Sequence, residues 1–248
     1  MRYFLECSYL GTHFIGWQRQ ASGRSVQQTI EEALSTILRQ QTEIVGSSRT
    51  DAGVHAEQQF AHFDLAERIP DPEKLVYRLN SLLPNDLAVR GIYLVADDIH
   101  SRFEATHRRY EYRIIRAKSP FLQTEAYLYR PELDLEAMNE AAQLLLQYDD
   151  FESFSKVHTD VKTFICDITL AEWQENRKGL VFTVQANRFL RGMVRGLVGT
   201  LLDVGTGKKT VADFEQIIRE KDRRAAGAQA PAHGLFLVEV GYPEGLWK

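Results

Sequence analysis

The order in which strand-like and helix-like stretches alternate is the strongest constraint on this chain. From Arg2 to Val95 the hydrophobic pattern runs strand, helix, strand, strand, helix, strand. A second run in the same order follows from Arg109 to Tyr242. The first helix is announced by Ser25 as its cap, with Gln28 three residues on as the capping-box partner. Val26, Ile30, Ala33, Leu34, Ile37 and Leu38 then recur at helical spacing. Asp71 and Pro72 open the second helix and Pro84 stops it. Strands are expected at Arg2 to Tyr9, Glu43 to Gly46, Glu57 to Asp64 and Leu87 to Val95. In the second run, Arg109 to Arg116 is a strand with Tyr110, Tyr112 and Ile114 on one face, and Asp134 caps a helix. Strands near Lys162 to Trp173 and Leu180 to Asn187 precede a helix carrying Leu190, Met193, Leu197 and Leu201. An extra helix begins at Thr210, and Leu235 to Tyr242 is the last strand.

Two tandem βαββαβ runs predict an α+β fold of two RRM/ferredoxin-like halves. They would be joined through a mixed, mainly antiparallel sheet, with helices on one face and the other face free. The expected halves are residues 1–103, with an acidic loop, and 104–248, with a tyrosine strand and an arginine-bearing helix. The softest connection is Ala96 to Thr106, and Arg223 to His233 reads as a mobile loop. Many unrelated activities share this topology, so fold alone decides nothing about function.

At 248 residues and 44% hydrophobic content the chain can bury a sizeable core. The net charge of -4 does not advertise a nucleic-acid binder, although local basic patches still can make one. Cys7 and Cys166 stand in apolar strand contexts and read as reduced core thiols. No long apolar stretch precedes Glu6, so neither a signal peptide nor a membrane span is expected, and the expected location is cytoplasmic.

Several segments carry chemistry. Arg49-Thr50-Asp51-Ala52-Gly53-Val54-His55 puts one acid between an arginine and a glycine, in a short loop between strands. A carboxylate raised on a turn beside a cation stays ionised and is ready to act as nucleophile or base. The plainer reading is an aspartate closing a turn, with Gly53 at positive φ. A metal set of Asp51, His55 and His62 lacks a completing ligand. In Phe103 to Arg113, arginines and tyrosines alternate, which suits either an RNA surface or a strand with tyrosines inward. Between Asn187 and Gly199, Arg191 and Arg195 stand a turn apart beside Gly192, Gly196 and Gly199, which would let another backbone or a ligand come close. Gly205-Thr206-Gly207-Lys208-Lys209-Thr210 resembles the end of a phosphate-binding loop, but its spacing fails and it reads as a helix C-cap with a basic loop. Tyr9 to Gln20 is a glycine loop in which Phe14 and Trp17 read as buried plugs and Gln18, Arg19 and Gln20 as polar, substrate-facing residues.

Together these segments resemble the tRNA pseudouridine synthase A family. The matching blocks are Tyr9 to Gln20, Arg49 to Ala56, Arg108 to Arg113, Phe189 to Arg195 with Gly199, and Ala232 to Tyr242, in the family's order. The resemblance implies an isomerase that converts uridine to pseudouridine at positions 38, 39 and 40 of the tRNA anticodon stem-loop. It implies a homodimer with no metal and no organic cofactor. Carried over by position, Asp51 is the catalytic carboxylate, Arg49 helps displace the target base, Tyr110 packs on the uracil and Arg195 pairs with Asp51. Expected substrate contacts are Tyr110, Arg108, Arg102, Arg191, Gln18 and Lys208, with Arg113 and Lys209 on the same basic path. Two departures, Ser48 in place of a frequent glycine and Lys162-Thr163 in place of Thr-Arg, bear on substrate selection. Two other classes remain: a non-catalytic RNA-binding protein of two RRM-like modules, and a hydrolase using Asp51 with His55. The first lacks an RNP1-type aromatic signature, the second a recognisable nucleophile elbow.

Overall fold

The computed structural model describes residues 1–156 and 161–247, so residues 157–160 and Lys248 of the expected second half lie outside the described residues. In chain order the elements are β1 (Arg2–Tyr9), α1 (Val26–Leu38), β2 (Val45–Gly46), β3 (His55–Asp64), α2 (Pro72–Leu82) and β4 (Leu87–Val95). Then come β5 (His107–Ile115), β6 (Tyr127–Leu128), α3 (Leu135–Leu144), β7 (Ile168–Asn176), β8 (Gly179–Ala186), α4 (Met193–Gly205), α5 (Val211–Glu220) and β9 (Leu235–Gly241). The fold is α+β, with parallel and antiparallel pairings. The chain divides into two compact units, Met1–His107 with Phe236–Lys248, and Arg108–Leu235.

In the first unit the strand order is β4-β1-β3-β9, with β2 also on β3. β1 lies antiparallel to both neighbours, Tyr3 opposite Phe63 and Arg2 opposite Val95. β9 joins β3 in parallel, Phe236 beside His55. The helix caps are local and formed as the residue types dictate. Ser25 Oγ accepts from Gln28 N–H at 3.2 Å, and Asp71 Oδ1 from Lys74 N–H at 2.9 Å. The capping box at α1 is only half made, because Gln28 Nε2 donates forward to Glu32 Oε1 at 2.8 Å.

The face expected to be free is covered in this unit. Phe4, Leu5 and Cys7 on β1 are all fully buried, although successive residues point to opposite faces. Tyr242 and Trp247, after β9, supply the second cover, with ring centroids 5.2 and 5.7 Å from Phe60 and 5.4 and 5.7 Å from Phe4. Each large ring buried this way contributes about 1.5–3 kcal/mol. Burial also pushes the Cys7 thiol well above its usual range, as expected of an inert core cysteine.

In the second unit the order is β5-β8-β7, all antiparallel, with β6 parallel to β5. Asp134 caps α3 through Ala137 N–H at 3.0 Å, and Thr210 and Asp213 form a complete capping box on α5. Three expectations need correction here. The stretch from Lys162 is not a strand until Ile168: ahead of β7 it makes one isolated bridge, Ile165 to Asp150. The apolar run from Leu190 is not helical until Met193, because Gly192 sits at φ 72°. That left-handed backbone, which glycine adopts without penalty, breaks the helix there. Arg191 therefore precedes α4 rather than riding on it. The segment Arg223 to His233 is tied down: Gly227 N–H donates to Thr200 Oγ1 at 2.9 Å and Ala230 N–H to Arg195 O at 3.0 Å. Its backbone groups find partners on α4, a non-local pairing that composition does not reveal.

Candidate active site

The Asp51 turn is assembled from main-chain bonds. Leaving β2, Ser47 N–H donates to Phe60 O at 2.7 Å, and Gln59 Nε2 reaches back to Ser48 O at 2.7 Å. Thr50 is buried, its hydroxyl 2.8 Å from Tyr9 Oη and its carbonyl 3.1 Å from Trp17 N–H. Val54 N–H closes the turn on Asp51 O at 3.1 Å, with Gly53 at φ 78°. A positive φ of this kind is what a tight turn asks of its glycine. Asp51 is half-buried and Arg49 exposed, both on a backbone that these bonds fix.

The glycine loop after β1 is pressed against this turn. A Cβ on Gly11 would lie 2.0 Å from Val54 O, and one on Gly16 2.6 Å from Thr50 O. Gly53 N–H donates to Phe14 O at 3.3 Å. Phe14 and Trp17 are buried plugs, 3% and 2% exposed, while Gln18, Arg19 and Gln20 lie at the surface. Arg19 is held by Glu31 at 3.0 Å and Gln20 Nε2 by Ile15 O at 3.2 Å.

His55 is held inside the fold. It is fully buried, stacks on Phe236 at 4.5 Å, and its Nδ1 accepts Gly11 N–H at 2.9 Å. With Nδ1 accepting, the ring proton of the neutral imidazole sits on Nε2. His62 Nδ1 lies 2.8 Å from Ser101 Oγ, so it too is engaged elsewhere. Among the described residues no cluster of three or more His, Cys, Asp or Glu suits a metal ion. No described helix is long and apolar enough to cross a membrane.

The second unit places the other expected residues. Along β5 the tyrosines point inward, as the plainer reading of this strand had it: Tyr110 is 7% exposed and Tyr112 fully buried. Tyr110 meets Phe189 edge to face, with ring centroids 5.1 Å apart. Aromatic quadrupoles favour that arrangement. Phe189 stands in the arginine-rich block but nothing in its spacing marks it as this partner. Arg108 is buried as well and donates to Asn187 O at 2.8 Å. Arg113 pairs with Glu111 at 2.7 Å. Burial raises the Tyr112 hydroxyl pKa, keeping it protonated as it donates to Pro231 O at 2.9 Å.

On α4, Arg195 Nε donates to Ala230 O at 2.7 Å. A Cβ on Gly199 would lie 1.7 Å from Ala228 O, so the close approach that the glycines permit is that of residues 228–230. Gly196 is in ordinary contact with Phe154. Lys208 lies 3.6 Å from Asp203, and Gly207 sits at φ 71° just past the helix end. A left-handed glycine there is the usual way to stop a helix. Arg191 is exposed, and Arg102 is exposed on a turn of the first unit. The expected pairing of Asp51 with Arg195 involves residues of both units and belongs to the proposal below.

A half-buried carboxylate on a fixed turn, in an α+β protein with buried tyrosines further along the chain, is the arrangement set beside known proteins. The family model for tRNA pseudouridine synthase matches residues 7–104 and 141–243. The chain is 50% identical to the tRNA pseudouridine synthase A of Bacteroides fragilis over 248 residues, 100% of this chain and 98% of that protein. It is 51% identical to the enzyme so named from Parabacteroides distasonis, over 99% and 98% of the two chains. It is 42% identical to that of Bacillus licheniformis, over 98% and 99%. The chain belongs to the tRNA pseudouridine synthase family, and is an isomerase.

Proposed function

We propose that the chain converts uridine to pseudouridine at positions 38, 39 and 40 of the tRNA anticodon stem-loop, with Asp51 as the catalytic carboxylate. The observation that carries the reading is the Asp51 turn: a half-buried carboxylate on a backbone held from both sides, in a chain half identical to curated synthases. The reaction breaks the bond from ribose C1′ to uracil N1 and forms one from C1′ to C5. The C5 proton leaves and N1 gains one, so nothing is oxidised and no water is consumed. A carboxylate serves this chemistry as a nucleophile or as a base at the ribose. The target base must first leave its stack, at a cost of a few kcal/mol. Arg49, exposed beside Asp51, fills the vacated space. Tyr110 packs on the extruded uracil, braced from its other side by Phe189. Arg195 supplies the positive charge that keeps Asp51 ionised. Arg102, Arg191, Gln18 and Lys208 contact the RNA. Arg108, which also donates to Asn187 O, is the remaining expected RNA contact. The working form is a cytoplasmic homodimer without metal or organic cofactor.

The test is tritium release from unmodified tRNA labelled at uridine C5. Release without strand cleavage is expected, and mapping of the product should find it at the three anticodon-stem positions. Asp51→Asn should lower turnover by about 10³-fold or more while tRNA binding stays near wild type. Binding without release by the wild-type chain would instead identify a non-catalytic RNA-binding module.

A further inference from the structure

The turn after β4 presents a large apolar ring to solvent. Phe103 is 73% exposed. Burying such a ring would have stabilised the fold, and the chain forgoes that gain. Its backbone is nonetheless fixed. Phe103 N–H and Glu104 N–H donate to His100 O at 3.1 and 3.0 Å, and Arg102 N–H to His100 Nδ1 at 3.1 Å. Ser101 is fully buried, its hydroxyl donating to Val45 O at 2.8 Å and its carbonyl accepting from Tyr242 Oη at 2.6 Å. Arg2 Nη1 clamps Ile99 O at 2.9 Å. The Phe103 ring leans on His100 at 4.3 Å, and His100 in turn meets His62 at 4.6 Å. The Arg102 guanidinium lies 5.8 Å from the Phe103 ring centroid.

A scattered surface phenylalanine needs no explanation. This one is held rigid, so the entropy of ordering it for a ligand has already been lost in folding. The chemistry of the ligand follows from the size of the patch. A protein interface needs a broad apolar centre. Along the chain Phe103 stands between Arg102 and Glu104, with Thr106 exposed beyond, so no second exposed apolar residue adjoins it in the turn. One ring beside one guanidinium suits one nucleobase and its phosphate, because any base presents a π-face. We infer that Phe103 is a stacking platform for a nucleobase of the bound RNA, with Arg102 at the adjoining phosphate. The inference rests on the proposed function, and its base is not the reacting uracil, which falls to Tyr110. Val45, which receives the Ser101 hydroxyl, lies on the strand that leads into the Asp51 turn, so the platform is tied to the backbone that carries the acid.

The test compares the full-length wild type, Phe103→Ala and Phe103→Trp on unmodified tRNA. Phe103→Ala should weaken binding about tenfold with the salt dependence unchanged, since no ionic contact is lost. Phe103→Trp should bind as the wild type does, and its added fluorescence should be quenched as tRNA saturates. Wild-type affinity for Phe103→Ala, or tryptophan emission indifferent to tRNA, overturns the platform. So does a Phe103→Ala protein whose only change is a smaller oligomer in sedimentation, which would mark a subunit contact. Tritium release by the wild type is read in the same series. Release with no Phe103 effect removes the platform alone, and a Phe103 effect without release removes the isomerase alone.

Discussion

The two units secure their important residues by different means. In the first, the Asp51 turn is gripped by another loop, main chain against main chain, with Gly11 and Gly16 at the points of closest approach. In the second, Arg195 and Thr200 on α4 reach out with side chains to hold residues 227–230, with Gly199 beneath. Glycine is required in both, but for opposite ends. In the first it lets a loop close on a turn that must not move. In the second it lets a helix receive a strap. Under the proposed function, a rigid turn suits a carboxylate that must be aimed, and a latched arginine suits a cation whose place must be kept.

The contrast can be broken by substitution. Gly199→Ala should have the largest effect, because its Cβ would overlap a backbone oxygen in a tethered segment. Overpacking of that kind should remove about 3 kcal/mol of stability. Denaturant melts would show this, and a wild-type midpoint would mean the strap is loose. Gly11→Ala should instead read out in catalysis, since its Cβ would displace the Val54 side of the turn. Misaiming Asp51 in this way should lower tritium release about 10²-fold. If that variant kept full turnover, the turn would not need the rigidity ascribed to it. Thr200→Val keeps the shape but leaves the Gly227 N–H without its acceptor. An orphaned buried donor should cost about 1–2 kcal/mol. Rescue by Thr200→Ser would tie that loss to the hydroxyl.

The smallest effect concerns acid. Burial, with Arg2 and His100 nearby, lowers His62 from 6.5 to about 4. The folded state therefore favours the neutral ring, and the unfolded state binds the proton first. Stability should fall as pH drops from about 6.5 towards about 4, and this group should cost nothing further below that. Burial also lowers His100 and His233, so His62→Gln should flatten the slope in part. A slope identical in His62→Gln would show that the Ser101 contact does not depend on the charge of this ring.

Much of this architecture was legible in the residue order because its signals are local. Ser25, Asp71, Asp134 and Thr210 each cap a helix through a backbone N–H three residues on, so a sequence can announce them. The Asp51 turn is legible for the same reason, with Gly53 at the positive φ its place demands. What stayed hidden is non-local. Apolar periodicity runs through Leu190 as if the helix had begun, and only the Gly192 backbone stops it. The cover over Phe4 and Phe60 comes from Tyr242 and Trp247, far along the chain. The burial of Arg108 and its bond to Asn187 O were hidden too, because buried and exposed arginines are written alike.

The return of β9 to the side of β3 has a consequence for synthesis. The unit that bears Asp51 is split around the other, since Phe236, Tyr242 and Trp247 leave the ribosome after the whole of the intervening unit. Until then His55 lacks its stacking ring and the Phe4–Phe60 face lies bare, so a nascent chain carries a sticky, half-made N-terminal body. Damage to the segment after Leu235 would accordingly be felt first around β1 and β3, far earlier in the chain.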